Sequence, residues 1–435
     1  MLYVLFMAIV CAIAVGQYDA ATDPSTSSLG FVVVATCVCL LVPVVFAVVA
    51  VRWNGRSARH PERFEKRSRW LLRLHGLTWL ISAIGTVYWA GWPEAIRSRW
   101  GDTILVDEAI IVAPLLASWL VSWAVFYAWF SDEMPPIGRA RFVWNQCRLT
   151  LLLAWMPVLV FCVIHDTVVV IRPEMGEVPT MLIVFLVNLG GLVVFFPRLL
   201  GWLWETKPLP HGALRSRLLS MAETSGLRIR EIHVWQTDQR IANAAIAGVF
   251  PSTRRVFLTD VLLKHFTDDE IEAAFAHELG HARHHHSLFR MALLLVPMGF
   301  YMLASALGLL QTLANGRDFS ILALMAVSSY LIVALGWYSR RLEHEADLWA
   351  CQQLATQHGN ANALQRYVGV LFRLCDRRHM HRGSWLHPGH NRRRSFLISC
   401  LSNLNRAESF EREMKWLAVF LVVTALLPLL LLAAV

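Results

Sequence analysis

Two histidines four residues apart, with a glutamate directly after the first, stand at 277–281 as His277-Glu278-Leu279-Gly280-His281. On a helix, residues four apart share one face and lie about 6 Å apart along the axis, so both imidazoles can bind one metal ion. Glu278 points off that face yet can reach a water on the ion. That arrangement lets zinc acidify the water while a carboxylate takes its proton during attack on an amide carbonyl. At this His and Glu content the HExxH pattern arises by chance in roughly 2% of such chains, so coincidence is a weak competitor.

A site of this kind needs a third protein ligand and one open position. Glu343-His344-Glu345-Ala346-Asp347 supplies candidates. Glu343 and Asp347 share a helix face, so one can ligate zinc while the other holds a ligand histidine; the spacing leaves open which does which. His344 and Glu345 would point elsewhere. The rival ligands are His284, His285 and His286, but on a continuous helix His285 lies about 12 Å from His277 along the axis, so the triplet reads as histidines at a membrane interface.

The elements that must position these groups are mostly apolar helices. Of 435 residues 56% are hydrophobic and 16% charged, which excludes a disordered chain, a collagen and a coiled coil and points to membrane. A helix needs about 20 residues to cross the hydrocarbon core, and apolar runs near that length occur at about 1–16, 30–51, 70–92, 104–130, 149–171, 179–204, 287–313, 319–338 and 415–435. The first is read as a retained helix rather than a signal peptide, because it has no basic leader. Arg52, Arg56, Arg59, Arg63, Lys66, Arg67 and Arg69 follow the second run, and Arg139, Arg141 and Arg148 follow the fourth. The alternate loops carry only Arg97 and Arg99, Arg172, or Arg317. Since Lys and Arg stay on the cytoplasmic side, both long polar segments should face the cytoplasm. The net charge of +9 is then loop charge, and nucleic acid is not an expected partner.

The domain reading is a membrane region at 1–204, the first part of a catalytic domain at 205–286, two membrane helices at 287–338, its second part at 339–414, and a closing membrane helix at 415–435. Residues 231–236 and 255–259 are strand-like, with Pro251 and Ser252 marking a turn. Thr267-Asp268-Asp269-Glu270 forms a capping box that should start the HExxH helix, which is expected to run on past His286 into the seventh span. The eight cysteines contain no CxxC pair, so neither a disulfide framework nor a cysteine zinc site is expected. Trp89, Trp92, Trp129, Trp202 and Trp204 sit at span ends as interfacial anchors. Asp107 with Glu108, and His165 with Asp166, lie near outer span ends, where water or pairing can satisfy them.

HELGH, two spans, then ExxAD resembles the membrane zinc metallopeptidases that include CaaX prenyl protease 1 and HtpX. The likeness covers about 205–400: Ala242 to Gly248 looks like the family's NAF-type segment, with Ala245 where the family usually has an aromatic residue, and 255–259 looks like the strand before the catalytic helix. The resemblance implies one zinc per chain, held by His277, His281 and Glu343, with Glu278 as general base and Asp347 behind the ligands. It also implies that Asn243 and Ala244 belong to an edge strand to which an extended substrate adds, a mode that selects weakly for sequence. His387-Pro388 with Arg393 resembles the family's HP…R element, placed to stabilise an oxyanion.

The fold class expected is therefore a mainly α multi-span bundle with a small α+β metallopeptidase domain interrupted by two transmembrane helices. The function expected is a zinc metalloendopeptidase in a bacterial inner membrane, its site facing the cytoplasm, cleaving membrane or misfolded proteins as HtpX does. The partners expected are the bilayer and an extended protein or peptide, membrane-bound or lipidated. Processing of prenylated C-termini is the alternative within the class, and a transporter or scaffold with a structural zinc the alternative outside it. A site-2-type intramembrane protease is disfavoured because this HExxH sits in a charged, capped helix.

Overall fold

The computed structural model describes residues 28–55, 61–100, 103, 106–131, 137–148, 153–239, 241–308, 317–358, 360–377 and 386–432. The apolar run at 1–16, and its reading as a retained helix, lie outside them. The protein is mainly helical with one small sheet, and the chain divides into two compact units, Met1–Leu189 and Gly190–Val435.

The first unit contains α1 (Leu29–Gly55), α2 (Pro61–Ile84), α3 (Trp92–Trp100), α4 (Val106–Phe126), α5 (Arg139–Gln146) and α6 (Leu153–Ile171). Its core is aromatic: Trp79 and Trp119 are fully buried and meet edge to face at 5.5 Å. Pairing satisfies Asp107, whose Oδ2 accepts from Arg97 Nε at 3.1 Å. Helix α7 (Glu177–Leu203) carries the chain into the second unit.

The second unit holds the sheet, built from β1 (Thr206–Pro208), β2 (Glu231–Trp235), β3 (Ala244–Ala247) and β4 (Arg255–Thr259) in the order β1-β2-β4-β3. β2 and β4 run parallel, and β3 returns antiparallel to β4, with Ala245 opposite Phe257, so that β3 is an edge. Strand alternation explains the two faces. Val256 and Leu258 of β4 enter the main core, and Phe257 turns to the other face. There Trp204 covers it at 5.2 Å and stacks on Trp235 at 4.1 Å. Trp204, directly after the span that ends at Leu203, thus also packs against the sheet.

Helix α8 (Ala213–Thr224) lies between β1 and β2, and after the sheet come α9 (Asp260–His265), α10 (Asp268–Arg283), α11 (His286–Ala306), α12 (Arg317–His358), α13 (Asn360–Arg377), α14 (His390–Leu401) and α15 (Leu404–Leu432). One core joins Leu218 of α8, Ile232 of β2, Phe275 of α10, Leu342 of α12, Leu371 of α13 and Leu397 of α14. A second cluster packs α11, α12 and α15 through Leu293, Leu335 and Leu421.

Among the described residues five helices are long and apolar enough to cross a membrane: Leu29–Gly55, Val106–Trp129, Leu182–Leu203, His286–Ala304 and Leu404–Leu432. On α15, Trp416, Phe420 and Leu430 are more than half exposed, a surface suited to lipid rather than water. The protein is therefore a helical membrane protein with a small α+β part. The run expected at 70–92 falls in α2 and the short π-helix Gly85–Trp89 that continues it, 149–171 contributes the shorter apolar helix Leu159–Ile171, and 319–338 lies within α12.

The HExxH helix does not run on into the membrane as expected. α10 ends at Arg283, His285 adopts the left-handed conformation with φ 54°, and α11 starts afresh at His286. A non-glycine residue there costs on the order of 1 kcal/mol, so the break persists only because surrounding contacts over-determine it.

Candidate metal centre

α10 begins with the capping box: Thr267 N–H donates to Glu270 Oε2 at 2.9 Å and Glu270 N–H to Thr267 Oγ1 at 3.4 Å. Three acids in this first turn suit the positive helix end. From this fixed start, His277 and His281 come round on one face. α12 crosses where Gly280 meets Ala346; a Cβ on Gly280 would lie 3.0 Å from the Ala346 backbone. Two small residues at the crossing let the helices approach closely enough for Glu343 to reach both histidines.

His277 Nε2 lies 3.2 Å from His281 Nε2 and 3.5 Å from Glu343 Oε2, and His281 Nε2 lies 3.4 Å from Glu343 Oε1. One ligand atom from each of the three residues lies within 4.8 Å of the others. The outer nitrogens are occupied: His277 Nδ1 is 3.0 Å from Asp347 Oδ1 and from the Tyr367 hydroxyl. Tyr367 donates to Asp347 at 2.6 Å, and Arg393 Nε donates to its other oxygen at 2.7 Å. Hence Glu343 is the carboxylate facing the histidine pair, and Asp347 is the one behind it.

These groups fit a zinc ion. Both Nε2 atoms converge, and among the described residues the buried Glu343 Oε1 makes no hydrogen bond, with His281 Nε2 3.4 Å away. Two imidazoles and a carboxylate are also the donor set of a catalytic zinc.

The electrostatics are those of a carboxylate-lined pocket. Burial alone would raise the carboxyl of Glu343, but His277, His281 and His387 hold it well below its usual range. Asp347 is likewise buried yet depressed, by the Arg393 guanidinium above all. Burial pushes His281 well down, whereas in His277 it is outweighed by Asp347 and Glu343, which raise the imidazole to about 9. Without metal, His277 therefore carries a proton below pH 9 that zinc must displace. Zinc affinity is accordingly expected to rise roughly tenfold per pH unit up to about pH 9 and then level off. Chelator competition between pH 6 and 10 checks this; a flat profile contradicts it.

A cavity of about 250 Å³ opens beside the triad. Glu278, half-buried, lines it, as do Ala244 and Ala245 of the edge strand with Asn243 just before it, Val370, Leu371 and Leu374 from α13, and His387 and Arg393. His387 Nδ1 is 3.1 Å from Glu343 Oε2 and its side chain is 41% exposed, whereas Arg393 is buried. The guanidinium is engaged with Asp347. Asn243 is held by its backbone: its N–H donates to Thr259 Oγ1 at 2.9 Å and its carbonyl accepts from Thr259 N–H at 3.0 Å.

Residues 208–401 match Peptidase family M48. M48 peptidases are zinc-dependent metallopeptidases, and the matched segment contains the triad, Glu278 and the edge strand. A protease HtpX homolog of Thermoplasma acidophilum is 28% identical over 183 residues, 40% of this chain and 55% of that protein. A CAAX prenyl protease 1 homolog of Oryza sativa subsp. japonica is 25% identical over 157 residues, 33% of this chain and 37% of that one. The crystal structure of S. mikatae Ste24p aligns with a TM-score of 0.47 at 15% identity, over 82% of this chain and 99% of that chain. The matches to the HtpX and CAAX homologs thus span about half or less of those proteins.

Sequence reasoning missed five residues that build this site. Tyr367 belongs to no motif and is far from His277 in sequence. Gly280 and Ala346 sit inside the motifs, but their role depends on a helix crossing. His286 and Glu345, expected at the interface and elsewhere, are buried behind His281. His286 Nδ1 is 2.6 Å from His281 Nδ1, and its Nε2 is 3.0 Å from Glu345 Oε2.

Proposed function

We propose that this chain is a membrane-embedded zinc endopeptidase that cleaves membrane or misfolded proteins. The observation that carries the proposal is the convergence of His277, His281 and Glu343 beside a cavity walled by the edge strand β3 and Glu278. Zinc at this triad would supply Lewis-acid polarisation of a carbonyl and lower the pKa of a water to about 7.

The remaining chemistry belongs to the side chains. An extended substrate adds to β3 through backbone hydrogen bonds, which bring one amide over the triad without selecting strongly for sequence. Glu278 takes a proton from the attacking water and delivers it to the departing nitrogen. His387, partly exposed in the cavity, donates to the carbonyl oxygen as the carbon becomes tetrahedral. Arg393 and Tyr367 hold Asp347, and Asp347 holds His277 in the tautomer whose Nε2 is free to ligate.

The apolar wall of Val370, Leu371 and Leu374 suits hydrophobic residues, which membrane and unfolded proteins expose. The alternation of basic loops supports a site on the cytoplasmic face, as in a bacterial inner membrane. Similarity to both HtpX and CAAX prenyl protease homologs makes the substrate class the point to test. Mass spectrometry of products is expected to show internal fragments of an unfolded protein. Selective cutting of a farnesylated CaaX peptide over its unmodified twin would replace this reading with prenyl processing. No fragments of either from folded, zinc-loaded protein would overturn the peptidase.

A further inference from the structure

The turn that breaks the helix after the HExxH motif places a second set of groups against the site. On a continuous helix His286 would lie about 140° around the axis from His281 and could not touch it. With His285 left-handed, the chain folds back instead, and His286, fully buried, meets the outer nitrogen of His281 at 2.6 Å. His286 Nε2 then lies 3.0 Å from Glu345 Oε2, and the other oxygen, Oε1, lies 3.2 Å from His284 Nδ1. Glu345 stands on α12, two residues after Glu343, so the chain of contacts starts and ends beside metal-facing residues.

Donor and acceptor accounting permits one arrangement. For Nε2 of His281 to ligate a cation it must carry no proton, so the ring's proton is on Nδ1 and is donated to His286 Nδ1. His286 Nδ1, as acceptor, has its own proton on Nε2, and that proton goes to the Glu345 carboxylate. Each link fixes the next.

We propose that His286 and Glu345 are positioning residues that lock His281 in its metal-binding tautomer, as Asp347 does for His277. This rests on the zinc reading above. The two ligand histidines are thereby served by different carboxylates of one helix, Asp347 directly and Glu345 through an imidazole. Because His286 is also the first residue of α11, the entry of a membrane helix is tied to the ligand geometry.

The test is zinc affinity by chelator competition, with melting temperature measured in the metal-free and zinc-loaded states of each variant. His286→Leu is expected to weaken zinc binding by about 10- to 100-fold. His286→Gln, whose amide offers both an acceptor and a donor, should recover most of that loss, and Glu345→Gln should fall between. His285→Asn, at an exposed residue outside the chain of contacts, should bind zinc like the parent. A merely structural role would lower both melting temperatures equally, whereas a positioning role narrows the gap between them. Parental affinity in His286→Leu, or an unchanged gap, overturns the proposal. If His286→Leu does not fold, parental affinity in Glu345→Gln overturns it instead. Absence of zinc binding by the wild-type chain would overturn the metal-site reading itself, an outcome distinct from equal affinities across the series.

Discussion

Glu278→Gln is expected to lower kcat/KM for peptide hydrolysis by at least about 10²- to 10⁴-fold while leaving zinc content unchanged. Glutamine keeps the size of the side chain but cannot accept the proton of the attacking water. Glu278 is not one of the three converging ligands, and it lines the cavity one residue from His277. The helix that carries it is fixed at its start by the Thr267–Glu270 capping box, so the substitution leaves His277 and His281 in place. Rate and metal analysis on the same preparation check this. A variant with parental turnover would remove Glu278 from the chemistry.

Asp347→Ala is expected to cost about 3–5 kcal/mol of stability, because it leaves Arg393 buried without its counter-charge. Asp347 is fully buried, and both its oxygens accept hydrogen bonds from Arg393, with Tyr367 as a further donor. Removing it also frees the outer nitrogen of His277, so zinc should bind more weakly. The double variant Asp347→Ala/Arg393→Met should be more stable than Asp347→Ala alone, since no unpaired charge remains. Melting curves of the set check the prediction. An Asp347→Ala protein that melts with the parent would show that the ion pair does not hold this region.

Residue spacing made much of the site legible. The HExxH pair and the capping box lie on one helix, so local rules reach them, and the capping contacts are present as expected. Four-residue spacing also named Glu343 and Asp347, but it is symmetric between them; only the crossing at Gly280 and Ala346 decides which one faces the histidines. His286 was misread because the reading assumed a continuous helix. A left-handed histidine at 285 has no sequence signal comparable to glycine. Arg393 was legible through the HP…R resemblance as an oxyanion-stabilising group, but not as a partner of Asp347, because that contact is between helices far apart in sequence. Among the spans, uniformly apolar runs such as Leu29–Gly55 were plain, whereas α2 carries Arg69 and Arg73 into its apolar stretch.

The most direct test of zinc-dependent hydrolysis at His277, His281 and Glu343 is metal removal and return. Purified wild type and Glu343→Ala would each be stripped with a chelator, given one equivalent of zinc, and incubated with an unfolded protein whose fragments are counted by mass spectrometry. Fragments from the wild type are expected to vanish on stripping and return with zinc, and Glu343→Ala is expected to yield none in either state. Fragments that survive stripping, or that Glu343→Ala produces at the wild-type rate, would contradict a zinc peptidase at this triad.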